Sequence, residues 1–178
     1  MNDIIILKKD KVLDHDAMVK SLVVNPDKCT GCRLCELACS YRHFKVMNPA
    51  RSRIHVVRRP HEAIDTPIFC LQCGLCISAC PFNALSRDLK TGAIKVDESK
   101  CTGCGECVHV CPYGAATIDP VNRKALICDL CGGDPECVKV CPENALLFLD
   151  ANQAAKYKQI AFSKLQRKEL TALMPDRR

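Results

Sequence analysis

Sixteen cysteines form four quartets along a chain of 178 residues, and no cysteine lies outside them. In chain order the quartets are Cys29, Cys32, Cys35 and Cys39; Cys70, Cys73, Cys76 and Cys80; Cys101, Cys104, Cys107 and Cys111; and Cys128, Cys131, Cys137 and Cys141. Three quartets have the spacing C-x2-C-x2-C-x3-C, and the last three quartets end in Cys-Pro. Thiolates grouped this densely and regularly are ligands for soft metal ions and for clusters of iron and sulfide.

The spacing predicts cubane [4Fe–4S] clusters. A cube needs four thiolates at the corners of a tetrahedron, and cysteines at i, i+3 and i+6 wrap one tight loop around three corners. In runs of this kind the fourth cysteine ligates the neighbouring cube. Gly31, Gly74, Gly103 and Gly105 ease the approach of backbone N–H groups to the sulfurs. We therefore predict four [4Fe–4S] clusters, with all sixteen cysteines bound to iron.

Structural zinc and disulfides are the alternatives to clusters. Zinc ribbons place two C-x2-C pairs about 15–20 residues apart and lack the crowded third cysteine. Disulfides across i, i+3 loops would be strained. The fourth quartet departs from the run because five residues, Gly132 to Glu136, separate its second and third cysteines, so a zinc or three-iron site stays open there. The first quartet has Ser40 where the others have Pro.

The rest of the composition predicts a core built around the clusters. Five Phe, three Tyr and no Trp are few large core residues for a chain of this length. Because metal binding commonly couples to folding, we expect the cluster-free chain to be largely unfolded.

The N-terminal residues favour a cytoplasmic location. The apolar run Ile4 to Leu7 is only four residues long, whereas a signal peptide needs roughly 7–15 apolar residues. No segment approaches the roughly 18 apolar residues of a membrane span, so none is expected. Export together with a signal-bearing partner is the alternative.

Each quartet lies in a repeated unit of roughly 30 residues. A short β-type segment precedes the cluster loop, a helical turn leads to the fourth cysteine, and a second β-type segment follows. Turns at 87–92 and 119–122 predict two hairpins. The expected fold is α+β and ferredoxin-like, with a helical tail that carries seven basic and two acidic residues.

At these motifs the chain resembles the four-cluster electron-transfer subunits of molybdenum and tungsten bis-pterin oxidoreductases. Three regular quartets precede a fourth with an expanded gap, and Pro142-Glu143-Asn144-Ala145-Leu146 follows. The short fourth motif, Cys-Asp-Leu-Cys-Gly-Gly-Asp-Pro-x-Cys over 128–137, is similar to that of small subunits accompanying tungsten enzymes of the aldehyde oxidoreductase family. That group includes ATP-independent (class II) benzoyl-CoA reductase of strict anaerobes. The resemblance covers about 22–150.

The resemblance implies that the quartets pair in a nested way, the second with the third and the first with the fourth. The implied ligand sets are set A (Cys29, Cys32, Cys35, Cys141), set B (Cys128, Cys131, Cys137, Cys39), set C (Cys70, Cys73, Cys76, Cys111) and set D (Cys101, Cys104, Cys107, Cys80). Sequential pairing, the first with the second and the third with the fourth, is the alternative, because the short links between quartets do not decide between the two.

The implied organisation is two nested 2[4Fe–4S] ferredoxin-like modules and a tail. Its segments are an N-terminal extension (1–21), the first cluster motif with a basic linker (22–65), the inner module (66–124), the fourth motif packing with the first (125–150) and a basic helical tail (151–178).

No phosphate loop, dinucleotide fingerprint or catalytic triad can be named in the sequence, so we predict a non-catalytic subunit. The implied function is to relay electrons between a catalytic tungsten or molybdenum pterin subunit, such as a benzoyl-CoA reductase or aldehyde oxidoreductase, and further redox subunits. Alternatives are a free-standing soluble polyferredoxin, the iron–sulfur subunit of a formate dehydrogenase, hydrogenase or dimethyl sulfoxide reductase-type complex, and a zinc-structured interaction module.

Residues outside the quartets are predicted to play supporting roles. Because all thiolate positions are filled, the five histidines are expected not to ligate iron, and His109 is expected on the solvent side of its helix. Phe82 and Tyr113 each follow a Cys-Pro and are expected to shield clusters from water.

The basic residues of the linker are expected to face solvent or an acidic partner protein. They are Arg51, Arg53, Arg58 and Arg59, and they lack the interleaved aromatic residues and the known module of a nucleic-acid binder. Elsewhere, positive charge near Arg33 predicts the highest cluster potential, and negative charge at Asp129 predicts one of the lowest.

Overall fold

The computed structural model describes residues 20–59 and 64–173. Its strands and helices are, in chain order, β1 (Lys20–Val24), α1 (Leu34–Phe44), β2 (Ile54–Arg59), β3 (Ile64–Phe69), α2 (Leu75–Ala79), β4 (Leu85–Arg87), β5 (Ile94–Val96), α3 (Glu106–His109), β6 (Thr117–Ile118), β7 (Ala125–Leu126), α4 (Glu136–Lys139), β8 (Leu146–Asp150) and α5 (Ala151–Leu173). The predicted mixture of short strands and helices is confirmed. Most of the predicted N-terminal extension, residues 1–19, lies outside the described residues.

The strands pair two by two into small antiparallel sheets: β1 with β8, β2 with β3, β4 with β5 and β6 with β7. The β4–β5 and β6–β7 pairs are the hairpins that the turn residues predict. In the β1–β8 pair, Lys20 lies opposite Asp150 and Val24 opposite Leu146. This pairing brings the beginning and the end of the cysteine-rich region together. Helix α1 packs on α4, and α2 packs on α3.

Two buried clusters of side chains form the core, and cysteines belong to both. The first cluster contains Leu22, Cys35, Cys39, Ile54, Val56, Phe69, Ala93, Leu130, Cys137 and Leu146. The second contains Cys76, Ala84, Leu85, Ile94, Cys101, Cys107, Ala116, Ala125 and Ile127. Among the described residues, Phe69 is the one aromatic side chain in these two clusters, so thiols and aliphatic side chains make up most of the interior.

Helix α1 is longer than the other cluster-loop helices because the first quartet lacks its Pro. A Pro after the fourth cysteine removes an N–H and ends the helix, as it does for α2, α3 and α4. At the same position Ser40 lets α1 continue to Phe44. The Ser40 hydroxyl is fully buried, donates to the carbonyl of Leu37 (3.0 Å) and accepts from the N–H of Asn48 (3.1 Å). The helix therefore gains one more turn, and the hydrogen bond to Asn48 holds the segment that follows the helix against it.

The β2–β3 hairpin occupies part of the predicted basic linker and was not predicted. Ile54 and Val56 of β2 and Phe69 of β3 are buried on its inner face, whereas Val57 is exposed. The hairpin spans the boundary predicted between Asp65 and Thr66.

Helix α5 forms the predicted helical tail. It begins where the Asp150 carboxylate accepts a hydrogen bond from the N–H of Gln153 (2.8 Å). Ala154 is buried, and the helix packs on β1 and β8. Ile160 and Phe162 are exposed. Within the ranges 20–59 and 64–173, no helix has the length and apolarity needed to cross a bilayer.

Candidate iron–sulfur centres

Three cavities gather twelve of the cysteines, and each is lined by three cysteines of one quartet and the fourth cysteine of another. The cysteines that line the first cavity are Cys29, Cys32, Cys35 and Cys141. Those that line the second are Cys70, Cys73, Cys76 and Cys111. Those that line the third are Cys80, Cys101, Cys104 and Cys107. These groups correspond to sets A, C and D.

The four remaining cysteines, set B, lie together where α1 packs on α4. Cys39 is close enough to Cys128, Cys131 and Cys137 for its charge to contribute to the raised pKa of each, after the larger effect of burial. Cys39 and Cys137 belong to the first buried cluster, and Cys128 packs against it. The expanded fourth quartet therefore still presents its three cysteines to a fourth thiol.

The chemistry of these groups fits iron–sulfur clusters. Burial, and after it neighbouring charges, raises the pKa of Cys35 to about 12 and of Cys107 to about 11. Thiols crowded in this way stay protonated until a cation binds, and coordination to a metal then deprotonates them. All sixteen cysteines lie within the described ranges and every one is a free thiol, so the disulfide alternative is not supported.

Backbone N–H groups point at the sulfur of the fourth cysteine in each quartet. In the three Cys-Pro quartets the donor lies four residues further on: Ala84 to Cys80 (3.4 Å), Ala115 to Cys111 (3.3 Å) and Ala145 to Cys141 (3.3 Å). In the first quartet the chain stays helical after Cys39, and its sulfur accepts instead from the N–H of Arg53 (3.3 Å). These N–H groups stabilise negative charge on the thiolates.

Comparison with known proteins identifies the cysteine-rich region. Residues 28–85, 69–115 and 93–142 each match the 4Fe-4S dicluster domain. The chain is 44% identical over 113 residues to the polyferredoxin-like subunit of the aliphatic sulfonate oxidoreductase of Pyrococcus furiosus, covering 62% of this chain and 65% of that one. It is 33% identical over 125 residues to YsaA of Escherichia coli K12, a protein named for electron transport, covering 64% of this chain and 77% of that one.

The chain belongs to the 4Fe-4S dicluster family of electron-transfer proteins. The prediction of a ferredoxin-like iron–sulfur protein is thus confirmed, and several relatives are named for electron transport or as a polyferredoxin-like subunit. Solved structures of the active-site complex BamBC of benzoyl-coenzyme A reductase are also similar. One is 32% identical, covering 73% of this chain and 75% of that one with a TM-score of 0.45.

The chain spans different shares of its relatives. It covers 26% of the beta subunit of the NADH-dependent phenylglyoxylate dehydrogenase of Aromatoleum evansii, to which it is 35% identical over 115 residues. With 65% of the Pyrococcus subunit covered, it spans less than two thirds of either protein.

The inserted loop of the fourth quartet is internally ordered. The Asp129 carboxylate accepts from the N–H of Cys131 (3.0 Å), and Cys131 and Gly133 both have left-handed backbone conformations, with φ of 51° and 103°. Lys139 pairs with Asp134 and Glu136 at the loop's outer side. The extra residues therefore form a turn of their own and leave Cys131 and Cys137 near Cys39.

One histidine and one arginine side chain lie close to set B, and the sequence did not indicate this. Nε2 of His43 lies 3.5 Å from Oδ1 of Asp129 and 3.9 Å from Sγ of Cys131. Arg53 pairs with the other oxygen of Asp129 at 2.8 Å. The sequence offered one signal for His43: the missing Pro at Ser40 lets the helix reach it.

Gln72 is a second residue that the sequence did not indicate, and it connects two quartets. Its N–H donates to Sγ of Cys70 (3.3 Å), and its side-chain amide donates to the carbonyl of Cys128 (2.8 Å). The same amide accepts from the N–H of Ile94 (2.9 Å). Gln72 therefore ties the loop of the second quartet to that of the fourth.

The other residues singled out in the sequence occupy the following places. His109 is exposed. Phe82 lines the cavity of set D, and Tyr113 lines the cavity of set C. The linker arginines are not all on a solvated face, because Arg51 is mostly buried against Asp119 and Arg53 against Asp129.

Proposed function

We propose that sets A, B, C and D each hold one [4Fe–4S] cluster and that the chain relays single electrons along the row of four. When bound, such clusters supply one-electron donors and acceptors. The protein supplies the thiolates, the N–H groups that stabilise them and the side chains that shield the row from water.

Cavity lining supports the nested assignment of the ligands. Cys141 lines the cavity of the first quartet, Cys111 that of the second and Cys80 that of the third. Sequential pairing would instead require Cys80 beside the first quartet and Cys39 beside the second. The β1–β8 pair and the α1–α4 contact favour the same nested arrangement.

The observation that carries the proposal is the packing between successive sets. Cys35 of set A lies in the same buried cluster as Cys39 and Cys137 of set B. Gln72 hydrogen-bonds both Sγ of Cys70 in set C and the carbonyl of Cys128 in set B. Cys76 of set C shares a buried cluster with Cys101 and Cys107 of set D. The sets therefore follow one another in the order A, B, C, D.

The two ends of this row reach the surface, and so does one interior set. Cys32 of set A, Cys73 of set C and Cys104 of set D are exposed, whereas every thiol of set B is buried or half-buried. As the ends of the row, sets A and D are the sites where electrons would enter and leave in end-to-end transfer, and set C is a third set open to an outside redox partner.

We further propose that the chain works as a subunit beside a catalytic tungsten or molybdenum pterin subunit and another redox subunit. The short fourth motif supports this, as does the relative named as a subunit of an aliphatic sulfonate oxidoreductase. A cytoplasmic location stays a prediction from the sequence.

Anoxic purification of the protein from its native cells tests the proposal. We expect a brown protein with about sixteen iron and sixteen sulfide per chain, four cubes of four iron each, and a larger pterin-containing subunit in the same complex. A colourless zinc protein or an iron content near twelve would contradict the cluster count. Consistent recovery of the chain alone would contradict the subunit role.

A further inference from the structure

The last turn of α1 carries a histidine to a thiol of set B. The His43 side chain is only 12% exposed, and its Nε2 lies 3.9 Å from Sγ of Cys131 and 3.5 Å from Oδ1 of Asp129. His43 is on the same helical face as Cys39, one turn further on, so one helix presents both a thiol and an imidazole to the same set.

The surroundings determine which ring nitrogen carries a proton. Both neighbours of Nε2, a carboxylate and a sulfur, are hydrogen-bond acceptors, so Nε2 must be the donor.

Asp129 is already engaged by other donors. Its Oδ1 accepts from the N–H of Cys131 (3.0 Å), and its Oδ2 accepts from Arg53 (2.8 Å). The Nε2–H of His43 can therefore be shared with the sulfur of Cys131.

We propose that His43 sets the reduction potential of the set B cluster by donating a hydrogen bond from Nε2 to the sulfur of Cys131. Reduction adds one electron and places more negative charge on the thiolates, so a donor aimed at the sulfur stabilises the reduced state and raises the potential. In this proposal His43 stabilises the negative charge on a cluster ligand, and it is not itself a ligand to iron.

Comparison with the other quartets shows why this donor is particular to the first. In the Cys-Pro quartets the residue four positions after the last cysteine is Ala84, Ala115 or Ala145, and each donates its backbone N–H to the sulfur of that cysteine. His43 holds the corresponding position after Cys39 but is helical. Its side chain reaches Cys131, another thiol of the same proposed set, while Arg53 supplies the N–H for Cys39.

The inference rests on the proposed function. The position of set B in the row means that the potential of its cluster affects electron transfer through the whole chain. Set B lies between sets A and C, so an electron crossing the chain must occupy it. A donor that raises its potential lowers the barrier that a buried, thiol-rich site would otherwise present. Loss of His43 is expected to slow transfer between the two ends without removing any ligand.

The test is an EPR-monitored redox titration of the purified holoprotein and four variants. His43→Leu removes the donor and is expected to lower one of the four midpoint potentials. His43→Gln keeps an N–H near the position of Nε2 and is expected to restore most of that shift. Asp129→Asn keeps the acceptor oxygen but removes the negative charge, so it should raise the same midpoint. His109→Leu makes the same substitution at an exposed histidine of the third quartet and should move none.

The outcomes separate this inference from the proposed function. Wild-type protein with fewer than four reducible clusters would contradict the proposed function before any variant is compared. With four clusters present, unchanged midpoints in His43→Leu would overturn the inference. So would an equal shift in His43→Gln, or a shift of all four midpoints together, since each would indicate a general structural disturbance. Iron content measured on every variant excludes simple cluster loss.

Discussion

Arg51 and Asp119 form a buried ion pair that joins distant parts of the chain. Nε of Arg51 lies 3.0 Å from Oδ1 of Asp119, and its NH2 group lies 2.7 Å from Oδ2. Asp119 is fully buried, and the guanidinium stacks 3.8 Å above the ring of Phe44. Because Arg51 follows α1 and Asp119 lies in the β6–β7 turn, the pair links the first cluster motif to the third.

Removing one partner of this pair is expected to destabilise the protein strongly. Arg51→Met leaves Asp119 buried without its cation, which typically costs about 3–5 kcal/mol. Lys100→Met, which removes an exposed pair with Asp97, is the matched control and should leave stability nearly unchanged because solvent screens that pair. The measurement is the guanidinium concentration at which the visible cluster absorption bleaches under anoxic conditions. Equal midpoints for the two variants would contradict this account of the pair.

The same pair predicts an acid limit to stability. Burial opposes ionisation of Asp119, but hydrogen bonds from Arg51 and from the N–H of Val121 outweigh it and hold the pKa of Asp119 below its usual value. The pair's contribution is complete above the unfolded-state pKa of about 3.9 and is lost as the pH falls through the lower folded-state pKa. In acid, bleaching rates of wild type and Arg51→Met should converge; a gap that widens below pH 4 would contradict the assignment.

Two glycines of the third cluster loop share a left-handed backbone conformation, but only one of them lacks the space for a Cβ. Both have positive φ, 73° at Gly103 and 90° at Gly105. A Cβ at Gly103 would lie 2.0 Å from the carbonyl oxygen of Arg123, whereas a Cβ at Gly105 meets nothing within 4 Å. Gly103→Ala is therefore expected to displace the loop and lose iron from set D. Gly105→Ala should cost only about 1–2 kcal/mol of backbone strain and keep its iron. Iron content per chain measures the difference, and full iron in Gly103→Ala would count against the close packing.

Neighbouring side chains change the expected effect of the Asp129 charge on its cluster. The predicted low potential of its cluster assumed an uncompensated negative charge. Arg53 and His43 both lie against Asp129, so part of the basis for that ranking is gone. The ranking itself stays a prediction.

At the scale of the element, the extra turn of α1 distinguishes the first quartet from the other three. Ser40 permits the extension, and its hydroxyl fixes the following segment through Leu37 and Asn48. The shorter helices α2, α3 and α4 end before or at their Cys-Pro. The residue after the fourth cysteine thus determines whether the helix ends there, as before Pro, or continues, as through Ser40.

Replacing Ser40 with Pro tests the role of this extra turn. Ser40→Pro removes a helical hydrogen bond and should end α1 near Cys39, at a cost of about 3 kcal/mol. It should also move the set B midpoint in the same direction as His43→Leu, because His43 leaves Cys131. Ser40→Ala keeps the helix and loses only the hydroxyl contacts, so its midpoint should stay near wild type. Circular dichroism reports the helix, and an unmoved midpoint in a shortened helix would contradict the link.

An element could be predicted from the sequence when the residues that determine it lie close together in the chain. The cysteine spacing, the Cys-Pro stops and the turns at 87–92 and 119–122 act within a few residues, so the cluster loops and two hairpins were predicted. The β2–β3 hairpin was missed because the basic residues from Arg51 onwards masked the alternation of Ile54 and Val56. Arg51 with Asp119 and His43 with Cys131 meet across 68 and 88 residues. No local signal indicates such contacts.

At the scale of the whole molecule, the chain is folded back so that its first and last cluster motifs meet. The β1–β8 pair closes this arrangement, and Gln72 joins the inner second quartet to the outer fourth. In the proposed row the ends are sets A and D. Three of the four cysteines of the unusual fourth quartet therefore belong to the interior of the row, beside Arg53 and His43, and the two end sets are built on loops with regular cysteine spacing.

The nested row is tested most directly by asking which cluster depends on Cys141. Serine variants of Cys29, Cys141 and Cys128 are compared by EPR-monitored redox titration, each with its iron content. If Cys141 belongs to set A, then Cys141→Ser and Cys29→Ser will alter the same cluster signal and Cys128→Ser a different one. If Cys141→Ser alters a different signal from Cys29→Ser, the nested assignment is wrong: the signal of Cys128→Ser would indicate that each quartet holds its own cube, and a third signal would indicate sequential pairing.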